Sequence, residues 1–247
     1  MRPRSRLLTM AWRDAELNLA LEWALIELVS SGSSPSTLRL WTNEPCVVIG
    51  RSGLSLAEVR LEACRALGIP VLRRPTAGGA VYHDEGNLNW TLIIEKAEFP
   101  RLAWPDELER MASRAILALL DELGLRGSHE ARRGVFVEGR KVSGMAMYVG
   151  RRAVMVHGTL LVSSDLSALR TALKCKFEVA NLSELVGSTL DIWADVAPSL
   201  TRQLARAFGI DVVLGELSRE ELALAEELRP MTRAKTNKAQ AFTEPAG

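Results

Sequence analysis

The chain has 247 residues, of which 47% are hydrophobic and 25% charged, with a formal net charge of +1. That balance suits a globular protein with a large core, in one domain or one plus a small appendage, and supplies no global basic field for nucleic acid. No apolar run approaches the roughly 18 residues that cross a membrane, the basic N-terminus lacks the apolar stretch of a signal peptide, and Cys46, Cys64 and Cys175 are too few and too scattered for a disulfide framework or a zinc site, so a cytoplasmic location is expected.

Residues 13–29 carry Leu17, Leu21, Ala24, Leu25 and Leu28 at helical spacing. Two short strand-like runs follow, 38–43 and 46–51, split by Glu44-Pro45. Ser55 and Glu58 have the spacing of a capping box for a helix that ends before Gly68. IPVL and LNWTLIIE then read as paired strands around a glycine-rich loop. Pro105 and Asp106 open a helix that runs to Leu123, with Gly124 past its end. Residues 134–164 read as three antiparallel runs divided at Glu138-Gly139 and Gly150-Arg151-Arg152. A short helix at DLSALRTALK, a helix over 198–208 with Pro198 in its first turn, and a last helix capped by Ser218 and Glu221 and ended by Pro230 complete the pattern. The polar stretch 231–247 is read as a mobile tail. Helices and antiparallel runs intermix without βαβ alternation, which predicts an α+β fold with mixed, largely antiparallel sheets over residues 1–230.

Three segments concentrate the chemistry. RRPTAGGAVYHDEGN, residues 73–87, places two arginines before an Ala-Gly-Gly-Ala turn, whose bare backbone lets an anionic ligand approach the N–H groups. It is neither a P-loop nor a dinucleotide fingerprint, because no Gly-Lys-Ser/Thr and no G-x-G-x-x-G is present. In the second, KVSGMA (141–146), strand alternation sets Lys141, Ser143 and Met145 on one face and Gly144 and Ala146 on the other, and Gly144 marks a close approach. The third, HGTLL (157–161), aims His157 and Thr159 the same way. Singly, each has a plain structural reading: a hairpin turn, a solvated lysine, a hydrogen-bonded core histidine.

In this order the three motifs resemble the lipoate–protein ligase family, whose hallmark is RRxSGGGAVYHDxGNLN followed by KxSGxA and HGTLL; the likeness runs from about Asn18 to about Leu185. The resemblance implies a catalytic module like that of biotin ligases. It implies that lipoate and Mg·ATP form lipoyl-adenylate, and that a lysine of an apo lipoyl-domain protein, such as a 2-oxoacid dehydrogenase E2 or a glycine cleavage H protein, then takes the lipoyl group. By the same match Lys141 is the catalytic cation, and Arg74, Gly78, Gly79, Val81, Tyr82, His83, Asn87, Thr159 and Leu160 line the ATP and adenylate site. Val48, Val81 and Ala146 would wall the acyl chain, with Asp84, Ser143, Gly144 and His157 in support; no metal ligand is assigned.

Three departures stand out. Ala77 replaces the first glycine of the family triplet, and Ala131-Arg132-Arg133-Gly134 stands where the family has Asn-Asp. The likeness also stops short of a C-terminal accessory domain, so the expectation is either a separate accessory protein or a ligase that does without one. The nearest rival is an octanoyl- or lipoyl-transferase working through a cysteine thioester, for which Cys175 between Lys174 and Lys176 is the candidate thiolate, although residues 126–140 hold no cysteine. A non-catalytic lipoate-binding homologue is the other alternative.

Overall fold

The computed structural model describes residues 3–99 and 104–234. An eight-stranded sheet forms the frame, in the order β11 (Asp211–Leu214), β1 (Arg4–Met10), β2 (Thr37–Trp41), β6 (Asn87–Glu95), β10 (Ala153–Leu161), β9 (Arg140–Val149), β8 (Gly134–Val137), β7 (Gly127–Glu130). The β11–β1 and β1–β2 pairs are parallel and the rest antiparallel. A second sheet holds β3 (Cys46–Ile49) between β4 (Val71–Arg73), parallel to it, and β5 (Val81–His83), antiparallel. The α+β expectation, with mixed and largely antiparallel sheets, holds.

Period two along the strands sorts the core. Leu88, Trp90, Leu92 and Ile94 of β6 face α3 (Pro105–Glu122) and α6 (Ala197–Phe208) in one apolar cluster. Ile93 and Met155 turn to the opposite face and meet α1 (Ala15–Ser31). Likewise Cys46 and Val48 of β3 pack towards α1, while Val47 and Ile49 pack with α2 (Leu61–Ala66) and α4 (Leu166–Ala172). Helix α1 is therefore walled by both sheets, and the space past the residues 18–22 turn of it becomes the site. α5 (Leu182–Val186) and α7 (Arg219–Leu228) complete the helices; α7 starts on the expected capping box, Ser218 Oγ accepting the Glu221 N–H at 3.1 Å. No helix of the described residues is long and apolar enough to cross a membrane.

Several expectations are corrected. Ser55 and Glu58 cap nothing: residues 54–58 form a 3₁₀ turn, Ser55 Oγ accepts the Gly50 N–H at 2.9 Å, and Glu58 reaches the glycine loop. The glycine loop does not join two paired strands, because β4 and β5 lie on either side of β3 and β6 belongs to the other sheet. Strands β1, β7 and β11 carry no clear alternation and went unread. The stretch 231–234 is anchored, with Thr232 fully buried and Arg233 bridged to Leu72; residues 235–247 lie outside the described residues.

Candidate active site

Two connected chambers open between the sheets. The inner one, about 160 Å³, is bounded by Val48, Val81, Ala146, Leu19 and Trp41 on its apolar side and by Arg74, Gly78, His83, Asn89 and His157 on its polar side. The outer one, about 310 Å³, is bounded by Glu58, Tyr82, Arg132, Arg133 and the strap Lys174–Phe177. Gly79, Val81, Lys141, Gly144 and Thr159 border both.

The glycine loop is shaped by Arg74, which is 5% exposed. Its guanidinium donates to Thr76 Oγ1 (2.9 Å), to Val48 O (3.2 Å), and through Nη2 to Ala77 O (2.8 Å) and Gly79 O (2.9 Å). These bonds fold the loop, and Arg74 borders the inner chamber with its charge. Burial pulls its pKa down to about 10, against the pull of Glu22 and Glu58, and it stays cationic at neutral pH. Gly78 has φ +107°, which a side chain rarely tolerates, whereas Ala77 is not in the left-handed region, so the lost first glycine costs the loop no conformation it uses.

Behind the loop runs a chain that the sequence reading missed. Thr76 Oγ1, which accepts from Arg74 Nε, lies in hydrogen-bond contact with His157 Nε2 at 2.7 Å. His157 Nδ1–H then donates to Glu22 at 2.9 Å, and Glu22 also accepts from Thr91 Oγ1 at 2.5 Å. Burial raises the Glu22 carboxyl, but His157, Thr91 and Arg39 outweigh it and hold the group below its ordinary value. Arg39, fully buried, donates to Asn18 O at 2.9 Å and to the Asn18 side chain, and lies 4.5 Å over the Trp41 ring. The available signal was polar residues at positions 18 and 22, i and i+4 on a helix face otherwise made of leucine and alanine.

His83 borders the inner chamber but is fixed: Asn43 Nδ2 donates to its Nδ1 at 3.1 Å and Trp41 meets its ring edge-on at 5.7 Å. Burial is the main cause that pushes its pKa down to about 3, so it is neutral at pH 7.

Lys141 reaches the chambers by a bulge. Val135 pairs with Ser143 and Phe136 with Lys141, so β9 carries one extra residue there. Val142 joins the main core, and Lys141 folds over Gly144, where an added Cβ would lie 3.3 Å from its Cε and Nζ. The expected alternation is thus broken: Lys141 shares the face of Gly144 and Ala146, and Ser143 is buried, its Oγ without a partner among the described residues. The Lys141 N–H donates to Glu178 O (2.7 Å), its C=O accepts from Ala180 (3.2 Å), and its Nζ sits 5.4 Å from the Phe177 ring centre. Burial lowers its pKa, Glu58 opposing and Lys176 adding to the shift.

The remaining predicted residues divide. Tyr82, 3% exposed, borders the outer chamber and packs with Val47 and Ile49; burial first, then Asp84 and Asp165, raise its phenol. Thr159 borders both chambers and accepts the Gly144 N–H at 3.4 Å. Asn87, Asp84 and Leu160 line neither chamber. Asn87 donates to Asn89 Oδ1 at 2.8 Å, Leu160 lies in the core, and Asp84 accepts from Gly86 and Asp165 N–H and from Ser164 Oγ, pinning the β5–β6 turn. Asn89, which the sequence reading passed over, borders the inner chamber, its Nδ2 without a partner among the described residues. Arg132, at φ +63°, and Arg133, 4.9 Å over Phe177, put two cations where the family pattern has Asn-Asp. Cys46 and Cys64 are buried; Cys175 is exposed at the outer chamber, and burial of its thiol sulfur raises its pKa more than Arg60 and Arg170 lower it, contrary to the lowered value expected from its lysine neighbours.

Residues 14–205 match the lipoyl protein ligase A/B catalytic domain model. A putative lipoate-protein ligase A of Aeropyrum pernix is 32% identical over 225 residues, covering 85% of this chain and 83% of that protein. Of the lipoate-protein ligase of Bacillus subtilis, 29% identical, the match spans 70% of this chain and only 54% of that protein. An octanoyltransferase of Symbiobacterium thermophilum is 28% identical over 90% of this chain and 93% of its own. Among solved structures, a putative lipoate protein ligase of Thermoplasma acidophilum with bound lipoic acid superposes with TM-score 0.79 at 26% identity, covering 91% and 94% of the two chains. A lipoate-protein ligase A bound with ATP does so with TM-score 0.80 at 26% identity, covering 92% and 94%. A biotin protein ligase of Aquifex aeolicus, 14% identical with TM-score 0.50, shares the fold alone. The chain belongs to the lipoyl protein ligase A/B catalytic-domain family.

Proposed function

We propose that the protein is an ATP-dependent lipoate–protein ligase, which joins lipoate to AMP and passes the lipoyl group to a lysine of an apo lipoyl domain. The observation that carries this reading is that the Lys141 ammonium and the glycine loop border both of two connected chambers, the inner one walled on one side by apolar groups and the outer one lined by cations. In the first step a lipoate oxygen attacks the α-phosphorus of ATP and pyrophosphate leaves. In the second the neutral amine of the acceptor lysine attacks the acyl carbonyl, loses its proton, and AMP leaves. Negative charge builds on the same few oxygens in both steps, and fixed cations and N–H groups at that point lower both barriers. Lys141, which borders both chambers, is proposed to contact them. The chamber walled by Val48, Val81 and Ala146 suits the aliphatic chain, and apolar walls give only modest discrimination among similar acids.

Magnesium is proposed to arrive on the ATP phosphates; among the described residues no group of three or more His, Cys, Asp or Glu is placed to hold an ion. The ATP-bound and lipoic-acid-bound structural neighbours support the two substrates. A neighbour from T. acidophilum, 25% identical, is a bi-partite lipoate protein ligase studied with its E2 lipoyl domain, which supports a lipoyl-domain acceptor and a separate accessory protein. The test is pyrophosphate release from ATP on addition of lipoate, followed by a gain of the lipoyl mass on an apo lipoyl domain. No lipoate-dependent pyrophosphate would sink the reading.

Two observations favour a second reading, acyl transfer through a thioester: Cys175 borders the outer chamber, and an octanoyltransferase is among the relatives. Its raised pKa counts against it.

A further inference from the structure

Glu58 stands between the glycine loop and the basic strap. Its Oε2 accepts the Ala80 N–H at 2.8 Å and lies 2.9 Å from where a Cβ on Gly79 would sit. Its Oε1 pairs with Lys176 Nζ at 2.5 Å, and its carbonyl accepts the Lys174 N–H at 2.8 Å. The Glu58 side chain is 24% exposed and that of Lys176 67%, so the pair sits at the mouth of the outer chamber. The other ionic groups bordering that chamber, Arg132, Arg133, Lys141 and Lys174, are all cations. A single carboxylate therefore occupies, among cations, a backbone donor and an ammonium that face open space.

An anion held by an N–H of a glycine loop and a lysine is the arrangement a phosphate takes in such a loop. We infer that Glu58 is a stand-in for phosphate: it holds the Ala80 N–H and the Lys176 ammonium in the free protein and gives both up to the phosphates of a nucleoside triphosphate. Glu58 is thus a positioning residue that competes with the ligand, and Lys176 is a phosphate-binding side chain. This rests on the ATP-dependent reading of the site.

Competition fixes the sign of the test. A phosphate that must displace Glu58 binds more weakly than it would to the same site with a neutral side chain. Gln at position 58 keeps an oxygen to accept the Ala80 N–H and removes only the charge, so the loop is expected to keep its shape. Calorimetry with inorganic pyrophosphate and with ATP on the intact chain should show Glu58→Gln binding at least threefold tighter than the parent, with a lower KM for ATP. Lys176→Met should bind both at least threefold more weakly, in the parent and in the Glu58→Gln background alike. Equal or weaker binding by Glu58→Gln would overturn the inference and show Glu58 to be a permanent strut. Unchanged binding in Lys176→Met would remove the lysine from the phosphate site and overturn it as well. If the parent releases pyrophosphate with lipoate while Glu58→Gln binds no tighter, only this inference falls. If the parent neither binds ATP nor releases pyrophosphate, the ligase reading falls and takes this one with it.

Discussion

His157 donates from Nδ1 to the carboxylate of Glu22 at 2.9 Å, across 135 positions of sequence. Glu22 is wholly buried and His157 nearly so, and the chain continues through Thr76 to Arg74, whose bonds shape the glycine loop. A buried polar chain of this kind is favourable only when every member is satisfied.

Glu22→Ala should accordingly cost about 1–3 kcal/mol in urea unfolding for each buried donor, His157 Nδ1–H and Thr91 Oγ1, left without an acceptor. Glu22→Gln should cost clearly less, because the amide oxygen still accepts the Nδ1–H. Equal losses in the two variants would show that the space filled by residue 22, and not its hydrogen bond, carries the stability.

Lys141→Ala should lower the rate of adenylate formation on the order of 100-fold or more, as expected for removing a charged group aimed at the reacting oxygens. Stability should change little, since the ammonium faces a chamber and the stem alone is packed. Lys141→Arg should restore little, because a broad, delocalised guanidinium does not place a compact charge where the ammonium stands. Stopped assays of lipoate-dependent pyrophosphate release, beside thermal melts, check both statements.

Cys175→Ser should retain lipoate- and ATP-dependent ligation within about twofold, because a serine at an exposed rim position disturbs no packing. Intact-mass spectra after incubation with an acyl-carrier donor should show no acyl adduct on the parent chain. A thioester mapped to Cys175, with activity lost in the variant, would replace the ligase by the transferase.

The legible part of this protein was the part governed by local rules. Helices at 105–122, 166–172, 197–208 and 219–228 announced themselves by caps, proline and periodicity, and the meander by its turns. The motif residues Lys141, Gly78, Gly79, Val81, His83, Gly144 and Thr159 do converge on one cavity. What sequence could not show was the work each side chain does in three dimensions. Arg74 reads as a ligand-binding group and Asp84 as a supporting one because they are polar and sit in motifs; the bonds that hold them, Arg74 to Gly79 O and the Asp165 N–H to Asp84 among them, come only from the folded loop. Lys141 was set on the wrong face because a bulge leaves no trace in residue alternation. Glu58 fits a capping spacing by chance, while its partners Ala80 and Lys176 lie 22 and 118 positions away.

His83 gives a pH dependence whose sign is fixed. Its ordinary pKa is 6.5, the value it regains on unfolding, and burial holds it at about 3 in the folded chain. Between those values the unfolded state carries a proton on this ring that the folded state does not, so acid favours unfolding. The stability contributed by keeping the ring neutral is fully present above pH 6.5 and is lost as pH falls towards 3. A shift of this size is worth on the order of 3–5 kcal/mol at the acid end, by the relation of roughly 1.4 kcal/mol per unit. Urea midpoints measured from pH 7.5 to pH 4 should therefore fall steeply. His83→Gln cannot titrate and can still accept from Asn43, so its profile over the same range should be flatter by that amount, even if its stability at pH 7.5 is lower. Parallel profiles for the two proteins would mean that the ring gains a proton inside the fold and that its surroundings open to water, which would also remove it as a neutral wall of the inner chamber.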